Sequence, residues 1–219
     1  KYSMIKSYSA QGVDDPTAVA KISIGTDGFH AVVYSGVEKT LYIDPYSKDK
    51  KSLIVYKRSD LDTDNDSFNC HVEEAARRGV AETTSLKNAQ DGKLRTFRLA
   101  LVCSGEYAQF HLTNQNISAA ASDEVKKAAV LSAMNTTMTR VNGIFERDLS
   151  VRMTIVGDND KVVFLDADTD NITDGDPDKM INEVQTICDQ EIGNANYDIG
   201  HIFSVGGDGL AGGGVVCTT

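Results

Sequence analysis

The residues able to do chemistry are few and scattered along this chain. Histidines stand at four positions, His30, His71, His111 and His201. No two lie four residues apart, so the chain holds no HExxH helix, where two imidazoles one turn apart bind a metal ion beside a glutamate base. His201 sits in the apolar "IGHIF" and reads as a core or sheet-edge histidine. The cysteines, Cys70, Cys103, Cys188 and Cys217, form no CxxC pair, which excludes a zinc knuckle or a thioredoxin-like dithiol. Single scattered cysteines fit disulfides and buried thiols alike. The aspartate run "DADTDNITDGDP" sets Asp166, Asp168 and Asp170 at the first three ligand spacings of an EF-hand. Its sixth position is Asn171 instead of glycine and its twelfth is Pro177 instead of glutamate, so the loop's turn and its bidentate ligand are both missing. "DLDTDND" at 60–66 has the same partial look. Both read as solvated acidic loops, with calcium binding as the minority alternative.

The glycines of "GGDGLAGGGVV" are no phosphate loop, because no GK[ST] follows and no helix does. Glycines beside a strand let another backbone approach closely, either a neighbouring strand or a peptide lying along the edge.

The elements that must position these residues fall into two groups. Residues 17–57 alternate in four short runs, "TAVAKISIG", "GFHAVVYSG", "KTLYIDP" and "KSLIVYK", parted by polar or glycine turns such as Thr26-Asp27-Gly28. That pattern predicts an antiparallel meander. Residues 58–93 are polar, with little apolar periodicity, and read as a linker with at most a short helix. From residue 94 the pattern changes. Phe97, Leu99, Leu101 and Cys103 alternate on one face of a strand. Ser122 caps a helix with Asp123 and Glu124 in its first turn, and Val130, Met134, Met138, Val141 and Phe145 form its apolar stripe. Leu149, Val151, Met153 and Ile155 alternate as a second strand. Asp176-Pro177 starts a second helix, striped by Met180, Ile181, Val184, Ile187 and Cys188 and stopped at Gly193. "YDIGHIFSV" is a third strand. The expected class is α+β, with helices packed on the second sheet.

The chain has 219 residues, enough for one large domain or two small ones. Its net charge is -10, and no basic patch stands out, which argues against a nucleic-acid partner. The longest apolar runs, such as "LALVC", are too short to span a membrane. The start has no signal-peptide pattern and reads as the middle of a longer protein.

The segment "YDIGHIFSVGGDGLAGGGVVC" resembles the third strand and following edge strand of the reprolysin-like (adamalysin-type) metzincin zinc peptidases. Gly209, Leu210, Ala211 and Gly214 match the family's G-L-A-x-x-G-x-x-C segment, and Cys217 falls on its cysteine. The resemblance runs back to about Leu94, while the GGG run departs from the bulkier family pattern. It implies a mixed twisted sheet with two long helices over residues 94–219, the N-terminal part of a catalytic domain. "GVDDPTAVAKISI" and "LYIDPYSKDKKSLIVY" resemble the β-rich propeptides of secreted bacterial relatives. The implied organisation is the end of a propeptide at 1–66, a linker at 67–93 and the peptidase part at 94–219.

What the resemblance implies about function follows from there. Substrate, a peptide or protein, would pair with the edge strand, touching Gly209, Leu210, Ala211, Gly212, Gly213, Gly214 and Val215. The zinc helix HExxHxxGxxH would come downstream, in the missing C-terminal part of the catalytic domain. A zinc-bound water polarised by its glutamate would attack the peptide carbonyl, and the present chain alone would hydrolyse nothing. The Cys217 partner would lie beyond that helix. Cys70, just ahead of the peptidase part, could place an inhibitory thiolate on the zinc. The enzyme would be secreted, with zinc as cofactor and calcium as an optional one. The rival reading is a non-catalytic secreted β-rich adhesion module with calcium-binding acidic loops, which leaves the GLAxxGxxC segment and the helix order without explanation.

Overall fold

The computed structural model describes residues 1–61, 91–205 and 209–211. The α+β architecture is as expected, and it is organised around one helix placed between two sheets.

The first sheet is a five-stranded antiparallel meander of β1 (Lys6–Gln11), β2 (Val19–Gly25), β3 (Gly28–Tyr34), β4 (Leu41–Pro45) and β5 (Leu53–Lys57), paired in chain order. Four of these strands were legible in the alternation, and β1 was not. Its sequence, KSYSAQ, is exposed along its whole length and has no apolar alternation to read. Gly25 pairs with Gly28, so Thr26 and Asp27 form the two-residue turn, and Gly28 takes a positive φ of 118° that suits glycine.

The second sheet has three parallel strands in the order β7-β6-β8, with β6 (Arg95–Cys103) in the centre, β7 (Val151–Ile155) and β8 (Ile199–Phe203). Leu99 to Cys103 are buried on both faces of β6, as a central strand of a parallel sheet requires. Leu99, Leu101 and Cys103 face α1 (Gly105–Asn114) and α2 (Asp123–Leu149). Ala100 and Val102 face α3 (Pro177–Glu191), packing with Val184 and Cys188. The second sheet is thus covered by helices on both sides.

The helix ends follow the capping signals. Ser122 accepts from the Val125 amide at the start of α2, and Asp176 accepts from Lys179 at the start of α3, where Pro177 holds the first position. Gly193, with φ 86°, donates its amide to Cys188 and closes α3. Helix α1 had no reading in the sequence. Its N-cap is Ser104, and its buried residues are only Gly105, Ala108 and Leu112, too sparse a stripe to stand out.

Helix α2 carries two buried faces. Val130, Met134 and Met138 enter the core over β6. Ser132, Thr136, Thr139 and Gly143, also buried, lie on the opposite side against the antiparallel sheet. Among the described residues, no helix is long and apolar enough to cross a membrane.

Candidate functional site

The expected substrate-binding segment follows β8, so the site is built outward from that strand. β8 pairs with β6 in parallel from Leu99↔Ile199 to Cys103↔Phe203. Among the described residues its other edge has no paired strand. Two anchors fix its entry. Arg98 donates its amide to Asp198 Oδ2 (2.6 Å), and its guanidinium bonds Asp198 Oδ1 (2.7 Å) and the Ala195 carbonyl (2.8 Å). The Arg98 partner holds the Asp198 carboxyl below the usual carboxylate range. Tyr197, buried, donates its hydroxyl to Asp189 on α3 (2.7 Å). A Cβ at Gly200 would stand 3.2 Å from Cys188 Sγ, so α3 packs close against β8.

His201 is exposed on β8, its ring edge-on to Phe203 at 5.5 Å, and Phe203 lies 5.4 Å from Tyr107 of α1. Beyond the strand, Gly209 and Leu210 are half-buried and Ala211 is exposed. Gly212, Gly213, Gly214, Val215 and Cys217, together with Cys70, lie outside the described residues.

The other edge of β6 is closed in an unusual way. Beyond β7, the buried side chain of Asn159 accepts from the Leu101 amide and donates to the Leu101 carbonyl, both at 2.8 Å. One side-chain amide thus takes the place of a neighbouring strand's peptide, and Val163 resumes the pairing opposite Cys103.

The acidic loop that raised the calcium reading has a structural role at Asp170. This buried carboxylate accepts from the Gly105 amide at the N-terminus of α1 (2.8 Å) and from the Ile172 amide (2.9 Å). Negative charge at a helix N-terminus is favoured by the helix dipole and by the free amides there. Asp166 accepts from the Asp168 amide (3.1 Å) and the Thr169 hydroxyl (3.2 Å). Among the described residues no group of three His, Cys, Asp or Glu side chains could hold a metal ion. The described side chains therefore do not fit a zinc site.

The two described cysteines are free, and they do not meet. Cys103 faces α1 and α2, whereas Cys188 packs on the opposite face of β6. Burial raises both thiols, Cys188 to about 11 and Cys103 well above the ordinary range, where the Asp170 carboxylate adds to the effect. Neither is a nucleophile at neutral pH.

Residues 131–219 match the family model described as "Metallo-peptidase family M12B Reprolysin-like". The match begins within α2 and takes in β7, α3 and β8. Neither a curated protein nor a solved structure matches the chain. The family match supports a reprolysin-like metallopeptidase, a protease whose substrates are peptides or proteins.

Proposed function

We propose that this chain is the first part of a secreted, zinc-dependent endopeptidase zymogen of the reprolysin type. Residues 1–66 are the end of the prosegment, 67–93 its linker, and 94–219 the N-terminal part of the catalytic domain. The observation that carries the reading is the family match at 131–219, which falls on the helix–strand–helix–strand order that the residue periodicity predicts. Substrate lies along the segment from Gly209 to Val215, reached through backbone groups that the glycines leave uncovered. The zinc ligands and the general-base glutamate belong to sequence outside this chain, since it contains no HExxH. When bound, zinc supplies the Lewis acid that activates water for attack on the peptide carbonyl. Cys70 is the residue whose thiolate would hold that metal in the latent form and so keep water from it.

The test begins with the codons that follow Thr219. An HExxHxxGxxH motif within the next hundred or so supports the reading, and its absence sinks it. The extended protein is expected to cleave an unfolded protein substrate and to lose that activity to a chelator. Cys70→Ala is expected to raise activity before prosegment removal, and unchanged latency would remove Cys70 from the mechanism.

A further inference from the structure

The antiparallel sheet and α2 meet through polar contacts along most of their joint. Ser7 Oγ lies 2.6 Å from Thr139 Oγ1, and Ser23 bonds Thr136 at 2.7 Å. Lys21, buried on β2, pairs with Glu146 of α2. Beside the last two turns of the helix the joint holds a pocket of about 710 Å³. Its floor is the Tyr34 ring of β3 and the Tyr42 ring of β4. Both rings are fixed from behind. Tyr34 is buried and donates its hydroxyl to the Arg140 carbonyl at 3.1 Å. Tyr42 stacks on Tyr56 with centroids 5.4 Å apart, and the Arg140 guanidinium lies 5.5 Å from its centroid.

Three cations stand round this aromatic floor. Lys39 comes from the β3–β4 connection, Arg58 from the helical turn after β5, and Arg147 from α2. Thr40 and Ser59 bring hydroxyls, and Ile144 of α2 closes the helix side with an apolar surface. None of the lining residues is acidic, although 32 acidic residues outnumber 22 basic ones in the chain, so the pocket carries the opposite sign to the molecule. The cations differ in what they already hold. Arg147 lies 5.2 Å from the Tyr34 centroid and is gripped by Asp148, which accepts from Nε at 2.6 Å and from the guanidinium end at 2.9 Å. Lys39 and Arg58 are exposed, and among the described residues neither has a carboxylate partner. Two unneutralised positive charges beside a third repel one another, and an anion between them removes that cost.

We propose that this pocket is a binding site for a small molecule that carries a phosphate group on a flat ring. The phosphate lies between Arg58 and Lys39. The planar fork of arginine matches phosphate oxygens two at a time, and the lysine ammonium adds a compact charge. The ring lies over Tyr34 and Tyr42 against Ile144. The volume is in the usual range for small-molecule sites and leaves room for a body beyond the phosphate itself. Because the walls come from both the sheet and α2, a bound molecule ties the two together. The site is independent of any peptidase activity, since none of its residues follows β8 or touches the segment from Gly209 onward.

The test titrates the full chain with phenyl phosphate, with inorganic phosphate and with phenol, followed by amide resonances at low salt, where charge contacts are least screened. Phenyl phosphate is expected to give saturable shifts at Thr40, Ser59 and Ile144 and to bind roughly tenfold or more tightly than either of its halves. It is also expected to raise the thermal midpoint, as a ligand of the folded state does. The double variant Lys39→Gln/Arg58→Gln is expected to weaken binding roughly tenfold or more while keeping the wild-type urea midpoint, because neither side chain holds a carboxylate. Arg58→Lys keeps the charge but loses the fork, and is expected to fall between the two. Shifts that never saturate, or a double variant that binds phenyl phosphate as the wild type does, overturn the site. Inorganic phosphate binding as tightly as phenyl phosphate overturns the ring-bearing ligand and leaves an adventitious ion only. No readout uses peptidase activity, so the pocket and the zymogen reading fail separately.

Discussion

At the scale of single residues, this molecule places small or polar side chains where backbones must meet. Gly105 opens α1 against the acidic loop, and a Cβ there would stand 2.2 Å from the Ala167 nitrogen and 2.4 Å from the Asp166 carbonyl carbon. Both contacts are backbone, so neither atom can swing aside. Gly105→Ala is therefore expected to cost about 1–3 kcal/mol, as overpacking does in a tight core, even though alanine favours a helix more than glycine does. Chemical denaturation of the variant checks this, and a gain in stability would show that the loop moves freely off the helix. The Asp170 carboxylate stands beside this contact and satisfies the Gly105 amide. The aspartates that suggested calcium in the sequence thus include one that is needed to start a helix.

At the scale of elements, α2 is the joint of the structure, since its two buried faces do different work. Met134 is fully buried in the core over β6. Met134→Ala removes apolar volume from a close-packed interior and is expected to cost about 2–5 kcal/mol. Thr136 belongs to the opposite face, bonded to both Ser23 and Asp27. Thr136→Val keeps the shape but deletes the hydroxyl, leaving sheltered partners unmatched, for a loss of about 1–3 kcal/mol. Hydrogen exchange separates the two cases. The first variant is expected to lower protection in β6 and α2, and the second mainly in β2 and β3. If Thr136→Val loosens β6 as much as β2, the two faces are not independent.

At the scale of the whole molecule, the two sheets are joined through charged groups, so stability is expected to depend on pH on both sides of a maximum. The carboxyls of Asp27, Asp44 and Glu146 are pushed up by burial but held below their ordinary values by His30, hydroxyl donors, Arg140, Arg152 and Lys21. A lowered folded value gives stability that is present above the ordinary carboxylate pKa and lost as pH falls through the folded one. Burial works against the charge on His30, but Asp27 and Asp44 raise the imidazole from the ordinary 6.5 to about 9, so its contribution is full below about pH 6.5 and is lost as pH rises through about 9. Urea midpoints are expected to be highest between about pH 5 and about pH 6.5, to fall below about pH 4 as these carboxylates protonate, and to decline toward about pH 9 with His30. A midpoint constant from about pH 3 to about pH 9 would mean that the joint draws nothing from its ion pairs. High salt is expected to flatten the profile only partly, because the groups are sheltered from the ionic atmosphere.

The sequence by itself determined the elements whose side chains sort by polarity. Phe97, Leu99 and Leu101 alternate, Val130, Met134 and Met138 recur at helical spacing, and Ser122 and Asp176-Pro177 mark helix starts, because burial and capping act on a few neighbouring residues and leave a periodic trace. The GLAxxGxxC resemblance likewise pointed to the family that the match at 131–219 supports. What only the tertiary structure decided depends on partners far apart in the chain. Strand β1 has no apolar period and exists through its pairing with β2. Cys103 and Cys188 lie on opposite faces of β6, which no spacing between them could reveal. The polar face of α2 looks like a solvated face in the sequence. It is buried because the antiparallel sheet brings Ser23, Asp27 and Lys21 onto it from more than a hundred residues away. A hydroxyl or a charge carries no sign of whether water or a distant side chain will satisfy it, and His30 acquired its role only when the fold set Asp27 and Asp44 on either side of its ring.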